Sequence, residues 1–262
     1  MRIVSLTTDF GTRDFYVGAL KGALLKRNPE LKLVDITHGI EPFNIVQGAF
    51  ILRQSWHEYP EGTIHLLGVN CVYARNFRYI ALRHEGHFFL APDNGILSLV
   101  FPNQELENVR IIPHPADQHF PVKTAFADAV DHLAAGKEWD ELGLSHIQMV
   151  KRINLHPVTD RTRIRGTIIH VDNFDNAVVN ITREDFDQIG QGRPFSLYFK
   201  RNDPITQLSQ NYCDVEAGEP LCLFNNAGLL EVSVNMGRAA SLLGLKESEV
   251  VELVFEQIKE EA

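Results

Sequence analysis

The first 150 residues of the chain alternate between short apolar runs and stretches with helical spacing. Ile3 to Leu6 is an apolar run typical of a buried strand, and the polar Thr7-Thr8-Asp9 follows where its carboxyl end should lie. Residues 15–26 carry apolar side chains at helical spacing, and Asn28-Pro29 ends that helix. The same patterns predict further strands and helices at 31–36, 44–57, 63–69, 79–82, 87–90 and 124–135.

This alternation predicts an α/β domain over residues 1–152, with a mostly parallel sheet between helices. Ligands of such sheets usually bind beyond the carboxyl ends of the strands. Asp9, Thr37-His38 and Asn70 each follow a predicted strand directly. The candidate site of this domain is therefore expected at that edge of the sheet.

The pattern changes after residue 152. Residues 153–164 are polar and include Pro157, and they are predicted to form a linker. Beyond them, turn residues separate short apolar strands predicted at 166–171, 177–181, 195–199, 221–224, 229–234 and 250–255. This spacing predicts a smaller C-terminal domain over residues 165–262, folded as an all-β barrel.

Composition narrows the class of protein. The chain has 262 residues, of which 44% are hydrophobic and 23% charged, and this balance indicates a packed core. No apolar run approaches the roughly 20 residues of a membrane helix, and a formal net charge of -9 argues against a nucleic-acid partner. Cys71, Cys213 and Cys222 match no zinc spacing, so they are expected to be reduced thiols of a cytoplasmic protein.

Asp9 is the first candidate for chemistry, within Thr8-Asp9-Phe10-Gly11. A carboxylate here could accept hydrogen bonds from a ribose diol, and Gly11 lets the chain turn close to a ligand. The alternative is an aspartate that caps the next helix. His38, alone after a strand, is more typical of a structural residue than of a catalyst. The motif by itself leaves both interpretations of Asp9 open.

Several common site types are missing from the sequence. Its 11 histidines include no His-x-x-x-His pair, which argues against a metal site. It has no glycine-rich dinucleotide fingerprint, no phosphate-binding loop and no serine-hydrolase elbow. The sequence therefore predicts neither a metal nor a cofactor.

Two loops of the C-terminal domain combine amides and carboxylates between apolar strands. They are Asp172-Asn-Phe-Asp-Asn176 and Phe224-Asn-Asn-Ala-Gly228. Such loops could hold an amino-acid zwitterion, with Asp172 facing the ammonium group. They could equally be tight turns, because Asn and Asp are the usual turn residues.

Six segments together resemble one family along nearly the whole chain. The segments are Thr8–Gly11 with Phe15–Gly18, Val34–His38 followed by Pro42-Phe43, Ala91–Gly95, Val171–Phe174, Asn176–Ile181, and Asn225–Gly228 with Leu230–Val232. In this order they resemble the S-adenosylmethionine hydrolases, fluorinases and chlorinases.

The resemblance implies an α/β domain, a β-barrel and a homotrimer with ligand sites between neighbouring subunits. S-adenosylmethionine would be the substrate, with no cofactor. Asp9 would hold the ribose hydroxyls, Tyr212 would stack on the adenine and Asn176 would bind the nucleoside. Asp172 and Asn226 would face the methionine amino and carboxylate groups. The other positions that the resemblance assigns to the pocket are Phe10, Phe43 and Asn225.

The catalytic positions depart from the family pattern. The hydrolases use an Asp, Arg and His set that prepares water or hydroxide, and here Asn70 stands at the Asp position. Arg78 or Arg75 fills the Arg position. Pro121 stands at the His position, so His119 or His38 would have to act instead. The alternative for Asn70 is a turn former at the end of a strand, silent in catalysis.

Three functions are compatible with these departures. The first is hydrolysis of S-adenosylmethionine to adenosine and methionine by attack of water on the ribose 5′ carbon. The second is binding with little or no turnover, since loss of a general base typically costs about 10²–10⁴-fold in rate. The third, ranked last, is a halide-dependent reaction. The sequence predicts the hydrolase.

Overall fold

A computed structural model describes residues 2–72, 74–114, 119–145, 148–152, 156–200 and 203–257. The chain divides into two compact units, Met1–Asn154 and Leu155–Ala262. None of the helices within the described ranges combines the length and the apolar character that crossing a bilayer requires.

The first unit contains one six-stranded sheet in the order β2-β1-β3-β5-β4-β6. Its strands are β1 (Ile3–Thr8), β2 (Lys32–Thr37), β3 (Ile64–Gly68), β4 (Tyr79–His84), β5 (His87–Pro92) and β6 (Val109–Ile112). β2, β1, β3 and β5 pair in parallel, whereas β4 runs antiparallel to both β5 and β6.

The sheet is therefore mixed: β4 runs against the other five strands, which agrees with the prediction of a mostly parallel sheet. The cause is local. Glu85 and Gly86 join β4 to β5, with φ of 45° and 78°. A two-residue connection with left-handed backbone forces its strands to pair antiparallel. The predicted pairing of these two strands around Glu85-Gly86 is confirmed.

Helices cover both faces of this sheet, as predicted. They are α1 (Tyr16–Arg27), α2 (Ile45–Arg53), α3 (Ile96–Val100) and α4 (Pro121–Ala134). On one face, Leu20 of α1 and Phe126 of α4 share a buried core with Leu66 of β3. On the other face, Leu52 of α2 shares a core with Leu67 of β3. Successive strand residues point to opposite faces, so β3 contributes to both cores.

The second unit is built around an antiparallel sheet in the order β10-β13-β8-β9-β12-β11, with β7 paired to β8. Its strands are β7 (Val158–Thr159), β8 (Arg163–Val171), β9 (Ala177–Thr182), β10 (Phe195–Tyr198), β11 (Pro220–Phe224), β12 (Leu229–Val234) and β13 (Val250–Phe255). Two helices accompany them, α5 (Arg183–Gly190) and α6 (Ala239–Leu243).

β8 is where this sheet curls. Its first half pairs with β13 and its second half with β9. A side chain at Gly166 would meet Val179 and Ile181 at 2.6–2.8 Å. Only glycine permits this close approach, and the strand bends over the core there.

The prediction of an all-β barrel needs one correction. α5 and α6 lie within the unit, so it is not all-β. Among the described residues, the path of paired strands runs from β10 to β11. Isolated bridges from Leu197 to Ile205 and from Leu208 to Cys222 extend from these two edge strands. Closure into a barrel stays a prediction.

The predicted linker over 153–164 is partly strand. Residues 153–155 lie outside the described residues. β7 and the start of β8 fall within the remainder and pair with each other, because Asp160 and Arg163 join them by a tight turn.

Candidate functional site

Asp9 directly follows β1 and fastens two loops of the first unit. Its Oδ2 atom accepts hydrogen bonds from the backbone nitrogens of Phe43, at 3.0 Å, and Asn70, at 2.9 Å. Both partners have left-handed backbone, with φ of 70° and 50°. Such a conformation costs a non-glycine residue about 1–3 kcal/mol and persists only where its surroundings impose it. Asp9 is the group that imposes it here.

The capping interpretation of Asp9 is not supported. α1 begins at Tyr16, and its N-cap, Phe15, has no side-chain hydrogen bond. α2 is capped by Asn44, whose side chain accepts from the Gln47 nitrogen. Within the described part of the chain, Oδ1 of Asp9 has no hydrogen-bond partner, so this oxygen retains its capacity to accept from a ligand.

Phe10, the residue after Asp9, belongs to a cluster of aromatic side chains. Phe10 packs edge-on against Phe120 at 5.5 Å between ring centroids, and Tyr16 contacts both rings. The Phe10 ring lies against Gly68, where a side chain would meet it at 3.1 Å. Phe43 differs from Phe10, since 72% of it is exposed. Of the two predicted pocket residues, Phe43 is therefore exposed, whereas Phe10 is packed against other aromatic rings.

His38 is held between protein groups. Its Nδ1 atom lies 2.8 Å from the Thr8 hydroxyl, and its Nε2 atom lies 3.1 Å from Oδ1 of Asp35, outside hydrogen-bonding angles. Burial raises the pKa of Asp35, but the hydrogen bond from Lys21 and the close approach of His38 outweigh it and lower this pKa overall. Both ring nitrogens of His38 therefore face protein groups, an arrangement typical of a structural histidine.

The predicted catalytic residues lie in different surroundings. Asn70 is a turn residue whose carbonyl accepts from the buried Asn94 side chain at 3.2 Å. Arg78 is paired with Asp93 at 2.8 Å, and Arg75 is exposed. His119 is also exposed, two residues before α4 begins. The catalytic roles of these residues stay predictions.

Pro121 and Cys71 are close in sequence to these predicted catalytic residues. Pro121 is the first residue of α4, a position where its missing N–H costs nothing. Cys71 follows Asn70; burial raises the pKa of its thiol well above the usual range, and the Asp9 carboxylate adds to this shift. The thiol therefore stays neutral and is no nucleophile at ordinary pH.

Asp93 is a buried carboxylate that sequence reasoning did not single out. One of its oxygens binds Arg78, and the other accepts from the Val150 nitrogen at 2.8 Å. The signal available in the sequence was its place within the matching segment Ala91–Gly95.

In the second unit, Asp172 directly follows β8 and organises its loop. Its Oδ1 accepts from the nitrogens of Phe174, at 2.9 Å, and Asn176, at 2.8 Å. Its Oδ2 accepts from the Asn176 side chain at 3.1 Å. The turn-forming interpretation of this loop is confirmed, and the same contacts bring Asp172 and Asn176 together.

Asp175 connects the 172–176 loop to helix α6. Its carbonyl accepts from the Ala240 nitrogen and its carboxylate from the Ser241 nitrogen, both at 2.8 Å, at the start of α6. Hydrogen bonds from Ser241 lower the pKa of Asp175.

Tyr212 is the predicted adenine-stacking residue, and its ring is 46% exposed. Its hydroxyl donates to Oε1 of Glu231 at 2.8 Å. Burial, this hydrogen bond, and the charges of Glu231 and Asp172 raise the pKa of Tyr212 to about 12.

Asn225 and Asn226 differ in their surroundings. The Asn225 side chain accepts from the nitrogens of Ala227 and Leu229 and donates to Oε2 of Glu231 at 3.1 Å. It builds the turn between β11 and β12. Asn226 is exposed at the tip of that turn. Of the pair, Asn226 has the side chain that a ligand can reach.

Comparisons with known proteins cover nearly the whole chain. The model described as the SAM hydroxide adenosyltransferase N-terminal domain matches residues 4–143, and that of the C-terminal domain of the same name matches residues 166–252. A Methanocaldococcus jannaschii protein named (R)-S-adenosyl-L-methionine hydrolase is 27% identical, covering 97% of this chain and 96% of its own length.

A fluorinase from an Actinoplanes species is 26% identical, covering 93% of this chain and 94% of its own length. The crystal structure of an uncharacterized conserved protein from Thermotoga maritima aligns with a TM-score of 0.83 at 26% identity. That alignment covers 96% of this chain and 99% of the other.

Proposed function

The chain belongs to the SAM hydroxide adenosyltransferase family, and from this premise we propose that it hydrolyses S-adenosylmethionine to adenosine and methionine. The observation that carries the proposal is the state of Asp9. It lies at the carboxyl end of β1, holds two strained loops with one oxygen and keeps the other for a ligand.

In the proposed complex, Oδ1 of Asp9 accepts from a ribose hydroxyl and Phe43 covers the nucleoside. Tyr212 stacks on the adenine, and Asn176 contacts the nucleoside. Asp172 attracts the methionine ammonium group; its carboxylate already accepts three hydrogen bonds, which favour its charged form. The proposed pocket also includes Phe10, Asn225 and Asn226.

In the reaction, a water oxygen forms a bond to the ribose 5′ carbon while the bond from that carbon to the sulfonium sulfur breaks. Its electron pair stays on sulfur, methionine leaves as a neutral thioether, and the water loses one proton. Positioning and exclusion of bulk water supply most of the acceleration, because the leaving group needs no protonation.

Among the described residues, this site lacks an evident base to accept the proton from water. An amide at Asn70 cannot accept the proton as a carboxylate would, and Pro121 carries no base. His119 and the arginines Arg75 and Arg78 remain as candidates for orienting water. General-base assistance contributes about 10²–10⁴-fold, so we expect slow turnover.

These departures favour a second candidate, a protein that binds S-adenosylmethionine or adenosine with little turnover. Calorimetry with each ligand, combined with chromatography of an overnight reaction, separates the two. Adenosine and methionine in equal amounts support hydrolysis. Binding without either product supports the second candidate, and halogenated adenosine formed only with chloride or fluoride supports a halide-dependent enzyme.

A matched pair of variants tests the role of Asp9. Asp9→Asn removes the charge that fastens Phe43 and Asn70, so ligand binding should weaken about tenfold or more. Asp14→Asn makes the same change at an exposed position nearby and should bind as the wild type does. Equal binding by both variants contradicts the proposed pocket.

We further propose a cytoplasmic homotrimer with ligand sites between subunits. Exposed apolar side chains near Asp9, among them Phe15 and Phe43, are the kind of surface that a neighbouring subunit covers. Light scattering during size-exclusion chromatography measures the number of subunits directly, and a monomer at assay concentration contradicts this proposal.

A further inference from the structure

Glu231 is a charged residue in the middle of β12, surrounded by apolar neighbours. Only 4% of it is exposed. No basic side chain pairs with it in the described part of the chain. Instead, three neutral donors share its two oxygens: the Tyr212 hydroxyl, the Ser233 hydroxyl and the Asn225 amide, at 2.8, 2.8 and 3.1 Å.

A buried carboxylate without a basic partner is costly, so its hydrogen bonds are the reason it is tolerated. An apolar residue such as the neighbouring Leu230 or Val232 would fill the strand at no such cost. Glu231 therefore serves something other than packing. Two of its three donors belong to segments of the candidate ligand site.

The first of these segments is the short 3-10 helix that begins at Tyr212. The ring of Tyr212 is half-exposed, and the hydrogen bond to Glu231 anchors the far end of its side chain. The hydroxyl oxygen lies on the axis about which the ring rotates, so the hydrogen bond fixes the direction of the side chain. The O–H bond of a phenol prefers the plane of its ring, so the same hydrogen bond also favours one ring orientation. A fixed ring loses less conformational entropy when a base stacks on it.

The second segment is the turn from Asn225 to Gly228. Glu231 accepts from the nitrogen of the Asn225 amide, so the oxygen of that amide must face the backbone. This orientation sets the turn that presents the exposed Asn226.

We propose that Glu231 is a positioning residue: it holds the Tyr212 ring and the Asn225 turn in the geometry that binds an adenine nucleoside. The inference rests on the proposed function, because it takes Tyr212 as the stacking residue. Glu231 itself touches no reacting atom. Its loss should therefore weaken ligand binding and leave the chemical step unchanged.

Glu231→Gln is the direct test. Its side chain keeps one accepting oxygen, and its new NH₂ group faces either the Asn225 amide, donor to donor, or the Tyr212 and Ser233 hydroxyls, which must then accept instead of donate. Either orientation breaks the shared arrangement. We expect the Kd for adenosine and the KM for S-adenosylmethionine to rise about tenfold, with kcat within about twofold of the wild type.

Two further variants distinguish positioning from general stability. Tyr212→Phe keeps the ring but frees it from Glu231, so Kd should rise in the same direction. Combined with Glu231→Gln, its effect should be less than additive, because both changes act on the contact between Tyr212 and Glu231. Ser233→Ala is the matched control, since it removes another buried donor to the same oxygen without touching the site, and its Kd should stay within about twofold.

The outcomes separate this inference from the proposed function. Wild-type protein that binds neither adenosine nor S-adenosylmethionine overturns both. Wild-type binding together with unchanged Kd values in Glu231→Gln and Tyr212→Phe overturns the positioning role alone, as does an equal loss in Ser233→Ala. If Glu231→Gln fails to fold, Tyr212→Phe still decides, because its ring is half-exposed and the substitution leaves the core intact.

Discussion

His65 makes the first unit sensitive to acid. It lies fully buried in β3, with Nδ1 2.7 Å from the Ser5 hydroxyl and Nε2 3.1 Å from Nδ1 of His87. Its ring stacks on Phe89. Burial lowers the pKa of His65 to about 3, and the neighbouring His87 adds to the effect. The folded unit therefore resists protonation of this ring.

The pH dependence of stability follows from that difference. In the unfolded chain His65 has a pKa of about 6.5, against about 3 in the folded unit. Below pH of about 6.5 the unfolded state binds one more proton, so folding stability declines as pH falls and this contribution is fully lost below about 3. The slope is about 1.4 kcal/mol per pH unit, which amounts to about 2 kcal/mol between about pH 7.5 and about pH 5.

His65→Gln removes the titrating ring, so the variant should lose about 2 kcal/mol less stability than the wild type over the same interval. Urea unfolding followed by tryptophan fluorescence measures this, because the only two tryptophans, Trp56 and Trp139, both lie in the first unit. His57→Gln, at an exposed position, is the control and should lose as much as the wild type. Equal acid sensitivity of the wild type and His65→Gln would refute the reasoning.

Three other substitutions test the site. Phe43→Gly relieves left-handed strain at an exposed position, so the free energy of unfolding should be unchanged or rise by about 1 kcal/mol while the adenosine Kd from calorimetry increases. Asn70→Asp restores a carboxylate and should raise kcat if the missing base limits the rate; an unchanged kcat would place Asn70 outside the chemical step. Asp172→Ala should weaken S-adenosylmethionine roughly tenfold more than adenosine, and equal losses in calorimetry would contradict its contact with the methionine part.

The elements that could be predicted are those whose own residues carry turn residues or helical spacing. The β4–β5 hairpin followed from Glu85-Gly86 between apolar runs, and α4 from its helical spacing. α4 begins three residues before its predicted start, because proline is favourable as a first helical residue and Pro121 lies outside the apolar spacing that predicts the helix. α5 was missed although Thr182 and Asp185 form a capping box. Its periodicity is short and its apolar residues are few.

In the candidate site, the residues could be predicted but their hydrogen-bond partners could not. The positions of Asp9, Asp172 and Tyr212 followed from the family resemblance, and family membership is confirmed. Their partners did not follow. Nothing in the sequence pairs Asp9 with the backbone of residue 70, or Tyr212 with Glu231, because these contacts join segments 61 and 19 residues apart.

The sequence by itself determined the local periods, the turns and the family, because each depends on residues close together along the chain. The tertiary structure alone decided that Asp9 holds two strained loops and that Glu231 is buried behind Tyr212. Those features depend on which distant segments meet and on which donors remain unsatisfied when they do. Hydrogen bonds between distant segments leave no periodic pattern in the sequence, so the sequence alone does not predict them.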